Sequence, residues 1–213
     1  MAAYLRGEFL YSSVLRFAQR LFLLVGVAAL AYAGGTVASA AIHQRYQSWK
    51  FERERMNAIV LNLKVAATKS IKPATVEEAL DLREGDVVGR LEIPRIGISV
   101  MVFQGIAEGT LVIGAGHVPG TPLPGSEGNV AIAAHRDTFF RKLEAIRPGD
   151  GIRVATVRAT YEYVVESTEI VDPEDTQVME SRARPELTLI TCYPFYLVGA
   201  APKRFIVHGR QLN

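Results

Sequence analysis

The sequence predicts a mainly β domain carried behind an N-terminal transmembrane helix. Three observations lead there. Between Val88 and His208 the chain breaks into short apolar runs separated by Gly and Pro. The spacing leaves little room for long helices, which is the pattern of an all-β barrel or sandwich. Ahead of this region, residues 21–42 contain no charged side chain over 22 positions. The chain has 213 residues, enough for one domain of ordinary size with appendages, and it shows no internal repeat or low-complexity segment.

Taken in order, residues 1–20 form a short leader containing Arg6, Arg16 and Arg20. As a helix rising about 1.5 Å per residue, the run 21–42 is long enough to cross a hydrocarbon core about 30 Å thick. Ala38-Ser39-Ala40 has the small-x-small look of a signal-peptide cleavage site, but the run is longer than a usual signal core. We read it as an uncleaved anchor. Basic residues lie on both sides of it, so flanking charge does not orient it; a long following domain can be translocated regardless.

Residues 43–84 read as a helical linker. Trp49, Met56 and Leu63 recur every seven residues, with Tyr46 and Ile59 on a neighbouring face. Two readings stay open: an amphipathic helix leaving the membrane with its aromatics near the headgroups, or a spacer helix packed on its own domain. Thr75 and Glu78 then match a capping box, predicting a short helix to about Arg83 that Gly85 ends. The globular domain is assigned to 85–213. Its expected strands are Val88–Ile93, Ile98–Phe103, Val130–Ala134, Ile152–Val157, Tyr161–Val165, Leu187–Thr191 and Phe205–His208. Short helices are expected at Leu111–Ala115 and Phe139–Ile146.

Composition excludes several functions. The net charge is +2 with no Lys/Arg block, which argues against nucleic acid as a partner. One cysteine permits no internal disulfide, so the core alone must hold the domain. A lone Cys and unpaired histidines approach no zinc set. Asp172, Glu174 and Asp175 read as a surface turn around Pro173, and Gly114, Gly116 and Gly120 form no dinucleotide fingerprint. No metal or other cofactor is expected.

The chemistry concentrates at strand ends. Leu187-Thr188-Leu189-Ile190-Thr191 is a buried-strand pattern that terminates on Cys192, the only cysteine. Such a thiol is either a small core hydrophobe or a presented nucleophile. His135 directly follows Val130–Ala134 and so also sits at the end of a strand, making it a candidate acid/base partner. The other histidines have plainer readings: His43 borders the apolar run, His117 braces a turn, and His208 lies on the last strand. Arg204 opens that last strand twelve residues after Cys192. A guanidinium beside the thiol would offer fixed donors to an oxyanion, whereas Lys203 reads as a solvated cation.

These residues carry a resemblance. Thr188-Leu189-Ile190-Thr191-Cys192 looks like the TLxTC signature of sortases, the membrane-anchored cysteine transpeptidases of bacterial surfaces, and Gly128–Arg136 resembles the segment bearing their histidine. Cys192-Tyr193-Pro194-Phe195 with Ala201–Phe205 is most similar to class D sortases. The resemblance implies a closed eight-stranded sortase barrel in the plasma membrane, facing outward. Cys192, His135 and Arg204 would cleave an LPxTG-like sorting signal through a thioacyl-enzyme and pass the protein to an amine. The implied partners are surface proteins bearing a C-terminal sorting signal and an amine acceptor, a peptidoglycan precursor or a pilin lysine. Thr191 would contact substrate or an oxyanion, or simply pack in its strand. Ala134 stands where related sequences often carry glycine, which would narrow the substrate pocket slightly. Two alternatives stay open: a cysteine peptidase that uses the same residues but hydrolyses its thioester, and a non-catalytic anchored barrel that binds peptides or a surface partner and has no need of all three groups.

Overall fold

The apolar runs become eight strands: β1 (Val87–Ile93), β2 (Ile98–Gln104), β3 (Ala115–His117), β4 (Asn129–Ala133), β5 (Gly151–Ala155), β6 (Thr160–Val171), β7 (Glu186–Tyr193) and β8 (Lys203–Gln211). The structure is a computed structural model and describes residues 19–32, 35, 42, 44–57, 82–180 and 184–212. The strands close into a barrel in the order β1-β2-β3-β4-β7-β8-β6-β5. All neighbours are antiparallel except β2 with β3 and β4 with β7, which are parallel. The expected mainly β, eight-stranded closed barrel is what forms.

Closure follows from the alternation of side chains. Leu91, Ile93, Val100, Val102, Val130, Ile132, Ile152, Val154, Leu187, Leu189 and Val207 form one interior cluster. Period-two patterning sends these to one face of every strand. β2 departs from strict alternation because it is buried on both faces, Val100 and Val102 inward and Met101 and Phe103 outward. The outward pair is covered by residues 44–57, which are helical and bring Phe51 to 1% exposure against them. Burying a phenylalanine contributes about 1.5–3 kcal/mol. Polar contacts fix the same helix: Gln44 accepts from the Met101 N–H at 3.1 Å and also bonds the Ile113 carbonyl. Arg90 donates to Glu52 at 2.6 Å and to the Ser48 carbonyl at 3.3 Å. The helix therefore packs on the barrel, but not through the heptad stripe. Trp49 and Met56 remain 56% and 59% exposed.

Several expected boundaries shift for physical reasons. β3, only three residues long, is not among the expected strands and begins at Ala115, the last residue of the helix expected over Leu111–Ala115; that helix lies earlier, over Glu108–Ile113. At Gly116 a Cβ would run into the Gly105 carbonyl, so glycine is required for β3 to close against its neighbour. β6 runs six residues past Val165 because its second half pairs with β8 while remaining largely solvent-exposed. An exposed strand carries no apolar period to read. Within Phe139–Ile146, a 3-10 helix covers Arg141–Ala145.

Residues 19–32 are helical with exposed side chains, and among the described residues no helix is long and apolar enough to cross a membrane. Most of 33–41, His43, and the capping box at Thr75–Glu78 lie outside the described residues.

One core group stands out energetically. Tyr163 is 1% exposed, and its hydroxyl has no hydrogen-bond partner among the described residues. Burial, with Tyr161 nearby, pushes its ionisation well above the ordinary tyrosine value. An unsatisfied buried hydroxyl costs about 1–3 kcal/mol. Tyr163→Phe should therefore stabilise the barrel by roughly 1 kcal/mol in a denaturant titration. A loss of stability of that size would contradict the assignment.

Candidate active site

β4 and β7 run parallel, and their last paired residues are Ala133 and Ile190. Two further bonds extend the pairing. The Ala134 N–H donates to the Ile190 carbonyl at 3.2 Å, and the Thr191 hydroxyl donates to the Ala134 carbonyl at 2.8 Å. Continuing that register by two residues sets His135 beside Cys192. On the other side of β7, Cys192 stands directly opposite Arg204 across the antiparallel ladder. Three neighbouring strand ends thus place His135, Cys192 and Arg204 side by side.

Residues opposed in register share a face. Leu187, Leu189 and Val207 point into the barrel, so the alternation turns Cys192 and Arg204 outward, and the same count along β4 turns His135 outward with them. All three are half-buried. Tyr193, Phe195 and Phe205 pack beneath them, with centroid separations of 6.0, 6.5 and 5.3 Å for Tyr193–Phe195, Tyr193–Phe205 and Phe195–Phe205. This aromatic plug gives the strand ends a rigid footing.

Hydrogen bonding leaves the three groups available. Neither the Cys192 thiol nor the His135 ring has a side-chain partner among the described residues. Among the described residues Arg204 makes one side-chain hydrogen bond, from Nη1 to the Lys203 carbonyl at 3.2 Å, which leaves the rest of the guanidinium for an incoming group. Lys203 pairs with Asp172 at 2.7 Å, in keeping with a surface cation. A nucleophile, an acid/base and a fork of donors aligned in this order can carry out acyl transfer.

Thr191 and Ala134 sit differently. Thr191 is 2% exposed with its hydroxyl spent on Ala134, and Ala134 is 5% exposed within the core cluster. Their contacts lock the two strand ends together, and neither side chain opens to the outer face. Pairing explains His208, which donates to Glu169 at 2.7 Å on the outer wall. A groove of about 310 Å³ there is lined by Glu166, Glu169, Glu186 and His208. Its Glu166 is bridged by Arg184 and Arg210, each at 3.0 Å. Among the described residues no cluster of His, Cys, Asp or Glu is arranged to hold a metal ion.

His117 braces its turn. It is 2% exposed, with Nδ1 2.8 Å from Gln104 Oε1 and Nε2 2.9 Å from the Pro122 carbonyl. Burial lowers its pKa below the ordinary 6.5, outweighing the opposing effect of the Pro122 carbonyl. Below about 6.5 the unfolded chain therefore binds this proton before the folded one does, and stability falls as pH drops through that window. The unfolding midpoint should decline between pH 7.5 and 5.5, and His117→Gln should flatten that slope. An unchanged slope in the variant would count against this origin.

Two arginines near the site escape sequence reasoning. Arg136 Nη2 donates to the carbonyls of Leu197 and Gly199, at 2.7 Å each. Arg141 donates to the Phe195 carbonyl at 3.2 Å and lies 4.1 Å over the Tyr196 ring. Their partners are loop carbonyls and a ring more than 50 positions away, which leave no local pattern to read.

Comparison with known proteins gives a consistent picture. The family model described as Sortase domain matches residues 91–212. The chain is 36% identical over 130 residues to Sortase D of Bacillus subtilis (strain 168), covering 61% of this chain and 66% of that relative, just under two thirds of its length. It is 29% identical over 203 residues to Sortase A of Bacillus anthracis, covering 90% and 94%. Among solved structures, sortase C-1 from Streptococcus pneumoniae superposes with a TM-score of 0.61 at 26% identity, covering 77% of this chain and 96% of that one. A Clostridium perfringens Sortase D5 transpeptidase superposes with a TM-score of 0.57 at 25% identity, covering 62% and 83%.

Proposed function

The chain belongs to the sortase family, and from that membership we propose that it is a cysteine transpeptidase that cleaves an LPxTG-like sorting signal and joins the released protein to an amine. The observation that carries this reading is the in-register placement of Cys192 against Arg204, with His135 at the adjoining strand end.

In this mechanism the Cys192 sulfur attacks the carbonyl carbon of the signal's threonine as the thiol proton passes to His135. The carbonyl oxygen becomes an oxyanion, and Arg204 donates to it. As the tetrahedral adduct collapses, the C–N bond breaks and His135 gives a proton to the departing amine. A thioester on Cys192 remains. An incoming amine then attacks it and His135 takes the amine's proton; as the C–S bond breaks, His135 hands that proton to the departing sulfur and the thiol is restored. Thr191 and Ala134 act as a frame, holding the strand ends in register. The partners we assign are surface proteins with a C-terminal sorting signal and an acceptor amine on a peptidoglycan precursor or a pilin.

We assign residues 85–213 to the catalytic domain, 43–84 to a linker and 21–42 to a membrane anchor after the 1–20 leader, with the barrel outside the plasma membrane. The uncharged 22-residue run supports the anchor. Resistance of the full chain to alkaline extraction from membranes tests it, and release at high pH would refute it.

The activity itself is tested by incubating the full chain with sorting-signal peptides, with and without an amine. A ligated product that depends on the amine supports transpeptidation. A hydrolysed product formed at the same rate without amine would identify a peptidase instead. If wild type and Cys192→Ala are equally inert across a peptide library, neither enzymatic reading survives.

A further inference from the structure

We propose that Arg136 is a positioning residue, a guanidinium clamp that holds the β7–β8 loop against the segment bearing His135 and so fixes the spacing of His135 and Cys192. The inference rests on the reading of those two groups as the reacting pair.

The loop joins Tyr193, beside Cys192, to Lys203, beside Arg204. Its base is anchored by apolar packing, with Phe195 5% exposed in the core. Beyond Phe195 that support ends: Tyr196, Leu197 and Val198 are 66%, 42% and 97% exposed. What holds the outer half is polar. Arg136 bonds the carbonyls on both sides of Val198, at 2.7 Å each, just before the chain turns back through Gly199 with φ +98°. Charge-assisted bonds of this length are the strong class. The 3-10 segment adds Arg141 on the Phe195 carbonyl and Glu144, which accepts from the Tyr196 hydroxyl at 2.6 Å.

The clamp's other end is the peptide bond to His135. Arg136 therefore ties the chain leaving Cys192 to the chain leaving His135, across 61 and 63 positions of sequence. Arg136 Nη2 alone makes both bonds, while Nη1 has no partner among the described residues, so the clamp on the outer half of the loop hangs on a single nitrogen.

The test compares wild type, Arg136→Ala and Arg136→Lys as full chains. Misplacing a catalytic group by about 1 Å costs on the order of 100-fold in rate. Arg136→Ala should lower kcat roughly 10- to 100-fold with KM changed much less, and with a fall in melting temperature too small to account for the loss. Lysine keeps the charge but not the planar fork, so it should restore only part of the loss. In Arg136→Ala the freed loop should be cut faster by chymotrypsin after Tyr196 or Leu197, and iodoacetamide should alkylate Cys192 at a changed rate. As the only cysteine, Cys192 is the sole thiol that can report. Wild-type kcat with unchanged cleavage and alkylation would overturn the clamp, as would a kcat loss that merely tracks a falling melting temperature. If wild type itself turns over no peptide, the transpeptidase reading fails, and cleavage and alkylation still decide whether Arg136 holds the loop.

Discussion

Cys192→Ala removes the nucleophile and should lower peptide turnover by at least about 10⁴-fold, with the barrel still folded. In enzymes that form an acyl intermediate, loss of the nucleophile leaves only binding and oxyanion stabilisation, and costs up to about 10⁶-fold in kcat. The fold should survive because Cys192 is half-buried on the outer face of β7 and its thiol makes no hydrogen bond among the described residues, while its backbone pairing with β8 is untouched by the substitution. Alanine there creates no large cavity. Peptide binding should persist, so KD measured by fluorescence anisotropy should change little while product formation vanishes. Substantial residual turnover in Cys192→Ala would mean the reaction runs through another group.

Arg204 carries the second large effect. Its residue stands opposite Cys192 in register, and among the described residues its guanidinium makes one bond, to the Lys203 carbonyl, which leaves most of its donors uncommitted there. Removing a single oxyanion donor typically costs about 10²–10³ in kcat, and Arg204→Ala should show a loss of that order. Arg204→Lys should recover little, because an ammonium on a flexible stem does not reproduce a planar fork at fixed depth. Equal activity of the lysine variant and wild type would show that charge alone suffices. Activity of Arg204→Ala near wild type would remove the arginine from the mechanism.

Much of the fold was legible because its signal is local. The runs at Leu187–Thr191 and Ile98–Phe103 are apolar or β-branched for nearly their full length since each strand is buried along most of it. β3 was not legible: three residues rich in small side chains carry no period, and their strand character comes from pairing with β2 and β4. The second half of β6 pairs fully with β8, but its exposed Glu166–Ile170 reads as polar loop. The 44–57 helix docks through Gln44, Ser48, Phe51 and Glu52, a face whose hold is mostly hydrogen bonds, so hydrophobic spacing pointed to the wrong stripe.

The candidate site follows the same rule. Cys192, His135 and Arg204 could be picked out because each terminates or opens an apolar strand, and the parallel β4–β7 pairing then makes distant strand ends adjacent. The role of Thr191 is not legible in sequence, because a buried hydroxyl bonded to a backbone carbonyl looks there like any strand threonine. Arg136 had no signature, since its partners are main-chain atoms of a loop whose own side chains are irrelevant to the bond.

The central claim is a thioester on Cys192, and intact-mass measurement tests it most directly. The full chain is mixed briefly with a sorting-signal peptide in the absence of amine and quenched in acid. The account predicts a mass increase equal to the peptide fragment ending at its threonine, mapped to Cys192, lost in Cys192→Ala and released by hydroxylamine. Turnover without any such adduct in rapid-quench samples, or an adduct mapped to a different residue, would contradict it.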